Sequence, residues 1–304
     1  MTRILITGAS GFLGLPIVRE FVKQKEYQVY AVTSGLRAVE FPEGVIRVNV
    51  NLLDRDATKE IIESVRPEIM LHLAWDLSKP DYPNAQSNLI WLEESLFMLR
   101  AFIASGGRYF AFSGSSAEYG RFTGFAEGGT AVALSLYGQC KRSFHEAAMR
   151  VSQTGIVSYV NLRFFPILGR GVRKNIAAAA KAAAAFEARE KFVCKAPNNI
   201  WDFIAVDDAA RAAYAVIKQG CTGVVNIGRG KPLMMGEVFK IIAKKMSCEE
   251  LLVLEDTDVR SEILVADIGV LNCVVGYRCL VGLDKMLDET IASVRQRGML
   301  SAGK

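Results

Sequence analysis

Tyr137 and Lys141 stand four residues apart in the segment SLYGQCKRSFHE, and their types suit an acid–base reaction. On a helix, two residues at this spacing share one face, one turn apart. An ammonium group beside a phenol favours the phenolate, so it lowers a phenol pKa that starts at about 10 and makes the tyrosine a usable acid or base near neutral pH. A pair of this kind on its own is more often part of a solvated helix face, so its context decides.

That context begins with the serines of YFAFSGSSAEYG, a segment in which Ser113, Ser115 and Ser116 follow an apolar run. In an open α/β sheet, the carboxyl ends of the strands form the rim at which ligands bind. We expect these three hydroxyls at that rim, beside a cofactor.

The elements that must position these groups are apolar runs of strand length separated by stretches of helical periodicity. Strands are predicted at 3–7, 27–32, 45–49, 69–74, 109–113 and 157–165, and helices at 12–25, 56–65, 84–105 and 135–153. Continuous apolar strands, each separated by a helix, indicate a parallel sheet covered on both faces. The predicted fold class is therefore α/β, a Rossmann-type doubly wound parallel sheet.

The regular alternation of predicted strands and helices changes after about residue 166. An Ala-rich helix is predicted from Asn175 to Glu190, strands around FVCK and FIAV, and helices near 207–219, 234–246 and 283–297. These elements predict a smaller C-terminal α/β lobe. We expect a dinucleotide-binding domain over 1–165, with a segment at about 204–228 returning to it, and a substrate-binding lobe over 166–304 that shares a cleft with it.

The segment ITGASGFLG directly follows the first apolar run and holds Gly8, Gly11 and Gly14. The first strand-to-helix turn of a doubly wound sheet is the favoured seat for phosphate. Glycine lets the backbone turn sharply and approach a pyrophosphate, and the helix that follows directs free N–H groups at the anion. The spacing departs from G-x-G-x-x-G, so the turn predicts a dinucleotide site but leaves a purely structural turn open.

The end of the second predicted strand bears on which dinucleotide is bound. An NAD site usually offers an Asp or Glu about 20 residues beyond the glycines, whereas an Arg there suits the 2′-phosphate of NADP. From Tyr27 to Val39 there is no carboxylate, and AVTSGLR supplies Thr33, Ser34 and Arg37. We expect these three residues at the cofactor and a preference for NADP(H). The alternative is NAD(H), with Arg37 a solvated loop residue.

Charge and composition exclude several other classes of protein. The net charge of +5 comes from 37 basic and 32 acidic residues, and neither sign forms the block that a nucleic-acid or membrane partner needs. Six widely spaced cysteines predict free thiols and no metal site. His72 and His145 are expected to be structural. No window reaches about 18 apolar residues and the start MTRILITG is too short for a signal peptide, so we expect a cytoplasmic protein.

Taken together, these segments resemble the extended short-chain dehydrogenases/reductases, the group of nucleotide-sugar epimerases, dehydratases and reductases. The matching segments occur in the family's order and cover nearly the whole chain. They are TGASGFLG (7–14), NLLD (51–54), HLAW (72–75), Asn88, SGSSAEYG (113–120), YGQCK (137–141), LRFFPILGRG (162–171), WDFIAVDDAARA (201–212) and NIG (226–228).

The resemblance implies a role for each matching residue. Tyr137 would be the catalytic acid or base, Lys141 would hold the nicotinamide ribose and tune Tyr137, and Ser115 would hydrogen-bond the reacting oxygen. The remaining cofactor contacts would be Gly8, Gly11, Phe12, Leu13 and Gly14 at the pyrophosphate, Asn51 and Leu52 at the adenine, Leu73, Ala74 and Trp75 along the ribose and nicotinamide, and Ser113 and Pro166 nearby.

Departures from the family's pattern narrow the reaction. The family's sugar 4,6-dehydratases carry an Asp-Glu pair after the catalytic Ser or Thr, and Ser116 and Ala117 stand there instead, so we do not expect dehydration. Asn51 replaces the usual Asp, and its carbonyl oxygen should still reach an adenine amino group. Pro166 replaces a frequent Asn.

A further departure concerns the substrate. Trp201 replaces an Arg that grips the substrate's diphosphate in many members. Arg260, or Arg173 and Lys174 ahead of the predicted helix at Asn175, would serve instead unless they are only exposed basic residues. The expected substrate contacts are Ser115, Ser116, Arg173, Lys174, Asn175, Trp201 and Arg260.

The leading expectation is an NADPH-dependent reductase of a nucleotide-linked 4-keto-6-deoxy sugar, in deoxysugar or surface-polysaccharide biosynthesis. A nucleotide-sugar 4-epimerase that keeps NAD bound uses the same three residues and is the alternative. Other ketones as substrates, or a sensor or scaffold protein without turnover, stay open, although such proteins typically lose the Tyr or the Lys. The resemblance also implies a homodimer paired through two helices of the dinucleotide-binding half.

Overall fold

The structure, a computed structural model, describes residues 1–36, 38–120, 133–175, 177–255 and 262–302, with side chains as far as Arg297. Two of the residues expected at the site, Arg37 and Arg260, lie outside the described residues.

The described elements follow the alternation that the apolar runs predict. The strands are β1 (Thr2–Thr7), β2 (Tyr27–Thr33), β3 (Val45–Asn49), β4 (Ile69–His72), β5 (Tyr109–Ser115), β6 (Ser158–Phe164), β7 (Ile167–Leu168), β8 (Phe192–Cys194), β9 (Ile200–Trp201), β10 (Ile204–Ala205), β11 (Gly223–Ile227), β12 (Leu233–Met234), β13 (Leu252–Leu254) and β14 (Ile263–Leu264). The helices are α1 (Gly14–Val22), α2 (Arg55–Val65), α3 (Ser87–Ala104), α4 (Leu136–Ser152), α5 (Ala178–Glu187), α6 (Val206–Lys218), α7 (Met235–Met246) and α8 (Leu283–Ala302).

A seven-stranded parallel sheet in the order β11-β6-β5-β4-β1-β2-β3 forms the centre of the molecule. Parallel neighbours need crossover connections, and helices such as α1 between β1 and β2 supply them. The Rossmann-type α/β fold predicted from the sequence is confirmed. The strand order reverses beside β1, which is the point at which such sheets bind ligands.

Both faces of the sheet are covered, and β1 shows why its sequence is continuously apolar. Ile4 and Ile6 pack in one core cluster with side chains of α1 and α6, whereas Leu5 packs in another with side chains of α2, α3 and α4. Successive residues of a strand point to opposite faces, so a strand buried on both sides has no solvent-facing position.

The second lobe is built around α5, α7 and α8, which share a separate core cluster. Its strands are short: β8 pairs with β13, β7 pairs with β10, and β9 lies between β12 and β14. The chain then returns to the central sheet, because β11 pairs with β6 along its whole length and α6 packs against α1.

Helix α5 starts later than the sequence predicts. The prediction begins at Asn175, but the helix begins at Ala178, and Ala177 before it is extended, with φ −133° and ψ 125°. The Asn175 side-chain amide instead donates to the Leu77 carbonyl oxygen at 2.7 Å. A tertiary hydrogen bond therefore competes with the first helical turn that alanine propensity favours.

Candidate active site

The turn between β1 and α1 has room only for glycine at key positions. Gly8 has a φ of 66°, and a Cβ there would lie 2.9 Å from the Ala74 backbone nitrogen. A Cβ on Gly14 would lie 2.2 Å from the Gly8 carbonyl oxygen. Helix α1 begins at Gly14, and the residue before it, Leu13, makes no capping hydrogen bond with its side chain. A compact turn with an uncapped helix start fits the pyrophosphate of a dinucleotide.

Thr7, the last residue of β1, fixes the loop that follows β4. Its hydroxyl accepts the N–H groups of Leu73 and Ala74 at 3.1 and 3.2 Å and contacts His72 Nδ1 at 2.7 Å. The other ring nitrogen of His72 contacts Ser95 Oγ at 2.9 Å, and burial lowers the pKa of His72 to about 3. His72 is therefore a neutral core residue that holds the loop against the glycine turn.

Tyr137 lies in the first turn of α4, which Ser135 caps by accepting the Gly138 N–H at 3.1 Å. The Tyr137 N–H donates to the Pro83 carbonyl oxygen at 2.8 Å. The Tyr137 phenol lies beside the Ser115 side chain at the end of β5. Burial raises the pKa of the Tyr137 phenol, and the neighbouring Ser115 side chain partly opposes that rise.

Lys141, one turn further along α4, is only 1% exposed. Its ammonium donates to the Ser113 carbonyl oxygen at 2.7 Å and lies 4.0 Å from the ring centroid of Trp75 and 4.5 Å from that of Phe112. Burial lowers the pKa of Lys141 to about 7. The expectation that Lys141 lowers the pKa of Tyr137 does not hold in this structure, because the ammonium turns to Ser113 and burial of the phenol dominates.

The Trp75 ring packs against both Lys141 and Tyr137. Its Nε1–H donates to the side-chain oxygen of Asn88, Oδ1, at 2.8 Å, and the Asn88 side-chain amide donates to the backbone carbonyl oxygen of Tyr82 at 2.7 Å. The Trp75 ring stacks on Trp91 with centroids 6.4 Å apart and meets the Tyr137 ring edge-on at 6.1 Å. The structure thus brings Ser115, Tyr137 and Lys141 together at the rim that also carries the glycine turn.

The comparison with known proteins decides the family. The NAD dependent epimerase/dehydratase family matches residues 4–228. The chain belongs to this family. The predicted enzyme type, the extended short-chain dehydrogenases/reductases, is confirmed, and an epimerase is compatible with it. The family is described as NAD dependent, whereas the sequence analysis expects NADP(H) and leaves NAD(H) as the alternative.

Individual relatives are similar over most of their length. A protein described as an uncharacterized UDP-glucose epimerase of Bacillus subtilis is 24% identical over 260 residues, which cover 79% of this chain and 76% of that one. The dTDP-6-deoxy-L-talose 4-dehydrogenase (NAD(+)) of Aggregatibacter actinomycetemcomitans is 23% identical over 231 residues, covering 75% and 85%. The crystal structure of UDP-glucose 4-epimerase from Thermotoga maritima, solved with UDP-glucose, aligns with a TM-score of 0.85 at 21% identity and covers 97% of this chain and 99% of that one. This last likeness shows the fold.

At the end of β2, the side chains expected at a family cofactor differ in exposure. Ser34 is exposed, whereas Thr33 is buried and its hydroxyl contacts Ser10 Oγ at 2.9 Å and accepts the Gly35 N–H at 3.3 Å. Thr33 therefore shapes the turn from within. Among these two hydroxyls, Ser34 is the one open to a ligand.

The residues expected at the adenine follow β3. The side-chain oxygen of Asn51 accepts the Leu53 N–H at 3.2 Å, which closes a local turn. Asn51 is exposed, and Leu52 packs against the core cluster of α2 and α3. The carbonyl oxygen expected to reach an adenine amino group is thus engaged with the backbone in this structure.

The segment that carries Arg173 and Lys174 spans the rim. A Cβ on Gly171 would lie 3.4 Å from the Phe12 ring of the glycine turn, and Asn175 bonds to the loop after β4. Arg173 is half-buried and Lys174 is exposed between these two contacts. Asn175 lies outside α5, so the predicted helix start at Asn175 is wrong, and the N-terminus of α5 lies at Ala178 instead.

Three further expected contacts lie deeper in the structure. Ser116, expected at the substrate, is buried, and the backbone of Pro166, expected at the cofactor, accepts the Ile204 N–H at 3.0 Å. Trp201 lies in β9 with its ring against Phe203, and its buried Nε1 has no partner among the described residues.

Three residues of the site are not among those predicted from the sequence: Glu118, Asn161 and Arg163. The Glu118 carboxylate accepts the Ser115 N–H at 2.8 Å, the Asn161 amide at 2.8 Å and the Arg163 Nε–H at 2.9 Å. The signal for the first contact is present in the sequence, because Ser115 to Glu118 reads S-x-x-E, the pattern of a capping box.

Other kinds of site are absent from the described part of the chain. There, no group of three or more His, Cys, Asp or Glu could hold a metal ion, and the six cysteines are free. None of the helices in the described ranges is long and apolar enough to cross a membrane.

Proposed function

We propose that this chain is an NAD(P)H-dependent reductase of a nucleotide-linked 4-keto-6-deoxy sugar. The observation that carries the proposal is that the Tyr137 phenol lies beside the Ser115 side chain, one helical turn from Lys141, at the end of a central strand. A nicotinamide cofactor, when bound, supplies a hydride to the carbonyl carbon. The protein's task is then to deliver a proton to the carbonyl oxygen and to orient it.

The described side chains suit that task. The raised pKa of Tyr137 keeps its phenol protonated, which is the form that donates to a carbonyl oxygen. Ser115 is half-buried beside it and donates a second hydrogen bond to the same oxygen. Lys141 would hold the ribose of a bound cofactor, and its buried ammonium, whose pKa burial lowers to about 7, would be the proton source for the phenolate left behind.

Reduction is favoured over dehydration because the residues after Ser115 carry no second acid and base. Ser116 and Ala117 stand there, and the nearest carboxylate, Glu118, is committed to Ser115, Asn161 and Arg163. A relative named as a 4-dehydrogenase of a dTDP-6-deoxy sugar supports oxidation and reduction at C4.

A 4-epimerase is the second candidate, because the same three residues serve a hydride that leaves and returns. A relative named as a UDP-glucose epimerase, and the structural likeness to a UDP-glucose 4-epimerase, favour it. The distinguishing property is whether the cofactor is consumed.

Cofactor preference and assembly complete the proposal. NADP(H) is supported by the absence of a carboxylate from Tyr27 to Val39 and by the exposed Ser34, whereas the names of the family and of the 4-dehydrogenase relative favour NAD. A homodimer through α3 is supported by Leu89 and Ile90, adjacent apolar residues of this helix that are 47% and 49% exposed. Sedimentation of wild type and of a Leu89→Glu variant tests the dimer.

The test of the reaction is oxidation of NADPH or NADH with a panel of 4-keto-6-deoxy sugar nucleotides. Wild type should consume cofactor, Tyr137→Phe should lose about 10²–10⁴-fold in kcat, and Tyr214→Phe, on α6 against Phe21, should match wild type. Interconversion of UDP-glucose and UDP-galactose without net cofactor loss would establish the epimerase instead. Turnover of neither class would refute both candidates.

A further inference from the structure

We propose that Glu118 is a positioning residue for Ser115, so that a buried ion pair fixes the place of the Ser115 hydroxyl beside Tyr137. The inference rests on the proposed function, because it assigns Glu118 a part in proton delivery at that site.

Glu118 acts on Ser115 through the backbone. Residues Ser116–Tyr119 form a single 3₁₀ turn, and Ser115 precedes it with an extended backbone, at φ −148° and ψ 147°. The Ser115 side chain accepts the Ala117 N–H at 3.1 Å while Glu118 Oε1 accepts the Ser115 N–H at 2.8 Å. These reciprocal bonds fix the main chain of Ser115 and the orientation of its hydroxyl.

The carboxylate is itself held from the neighbouring strand. Glu118 is 1% exposed, and its Oε2 accepts the Asn161 amide at 2.8 Å and the Arg163 Nε–H at 2.9 Å, both from β6. Arg163 is fixed in turn, because its guanidinium lies 4.4 Å from the ring centroid of Tyr119. Glu118 thus connects the rigid β6 to the turn that carries Ser115.

The backbone leaves space for this arrangement. A Cβ on Gly114 would lie 1.9 Å from Asn161 Oδ1 and 2.5 Å from Glu118 Oε1. Because residue 114 is glycine, both side chains can approach the strand end directly before Ser115.

A merely structural ion pair would have a different signature. Removal of Glu118 would then lower stability without any link to Ser115. If Glu118 positions Ser115, its removal matters for turnover only while the Ser115 hydroxyl is present. A double-mutant cycle separates the two cases.

The matched variants are Glu118→Gln, which keeps an acceptor oxygen, and Glu118→Met, which has similar length but none. Each is made with and without Ser115→Ala, and kcat and KM are measured under conditions in which all variants are folded. Glu118→Met should lower kcat by about 10–100-fold with little change in KM, and Glu118→Gln should restore most of it. In the S115A background, Glu118→Met should change kcat by less than about twofold.

Equal losses of kcat with and without Ser115, or no loss at all, would overturn the proposal. If Glu118→Met does not fold, the double variant Glu118→Met/Arg163→Met removes both charges together, a change that buried pairs often tolerate, and it must show the same dependence on Ser115.

Crystal structures of wild type and the Glu118 variants with NAD⁺ provide a readout that needs no sugar substrate. The contact between Ser115 and Tyr137 should persist in Glu118→Gln and open in Glu118→Met, and an unchanged contact in Glu118→Met would contradict the inference. If wild type turns over neither 4-keto sugars nor UDP-glucose, the proposed function fails while these structures still decide the role of Glu118.

Discussion

The Tyr137 phenol lies between two unlike surroundings. On one side, Ser115 is held by Glu118, whose buried charge is paired with Arg163. On the other side, the Lys141 ammonium lies between aromatic rings and donates to a neutral carbonyl oxygen. The ion pair fixes the geometry on the first side. On the second side, burial lowers the pKa of Lys141 to about 7, and the charge of Glu118 opposes this only in part. One side therefore suits positioning, and the other suits proton exchange.

The largest expected effect is the loss of the ion pair on the Ser115 side. Arg163→Met leaves the buried Glu118 charge without its cation, so the free energy of unfolding should fall by about 3–5 kcal/mol. Urea denaturation measures this. Lys23→Met, which breaks an exposed pair with Glu20, is the control and should cost less than about 1 kcal/mol. A loss as small as that control would show that Glu118 is satisfied by Asn161 and Ser115 alone.

Burial of Lys141 should make the free energy of unfolding depend on pH. At pH values between about 7 and 10.5 the unfolded chain keeps the Lys141 proton that the folded protein has released, so the free energy of unfolding rises with pH across this interval. Below about 7 the penalty of burying the charge is fully present. Lys141→Met removes this penalty. The free energy of unfolding of the variant, taken relative to wild type, should therefore increase by about 2–4 kcal/mol when the pH is lowered from 10 to 6. Lys240→Met, at a lysine 57% exposed, should follow the wild-type curve. Parallel curves for wild type and Lys141→Met would show that Lys141 stays charged.

The two sides also differ in how far the sequence predicts them. Local signals locate Tyr137 and Lys141 on one helix, the glycine turn, and the central strands to within about two residues, because an apolar run or a helical period needs no knowledge of its neighbours. The Glu118 contacts depend on the register of β5 against β6, which places Gly114 opposite Arg163. Glu118 and Arg163 are 45 residues apart, and no periodic pattern in the sequence links residues at that distance.

The orientation of Lys141 was beyond the sequence for a related reason. The ammonium could face Tyr137 or Ser113 on the same helical face, and the outcome depends on where Trp75 and Phe112 leave space. The start of α5 likewise depends on a hydrogen bond between Asn175 and a loop almost a hundred residues away.

A substitution at Gly114 tests the fit of the Ser115 side more gently. Gly114→Ala forces Asn161 and Glu118 to move from the strand end, which should cost about 1–3 kcal/mol. Gly282→Ala is the control, because nothing lies within 4 Å of its added Cβ, and its effect should stay within about 1 kcal/mol. Matching effects for the two variants, again by urea denaturation, would mean that the contacts at Gly114 yield easily.

The smallest effect belongs to the aromatic side. Trp75→Phe keeps a ring beside Lys141 but removes the Nε1–H that donates to the buried Asn88 oxygen. The free energy of unfolding should fall by about 1–2 kcal/mol, since an unsatisfied buried acceptor remains. Adding Asn88→Leu removes that acceptor together with its amide, so the cost of Trp75→Phe should shrink in this background if the bond accounts for it. If Trp75→Phe costs the same in both backgrounds, ring packing and not the hydrogen bond to Asn88 holds Trp75 in place. Ser115 is then held by an ion pair and hydrogen bonds, whereas the Lys141 side of Tyr137 is held by packing of aromatic rings.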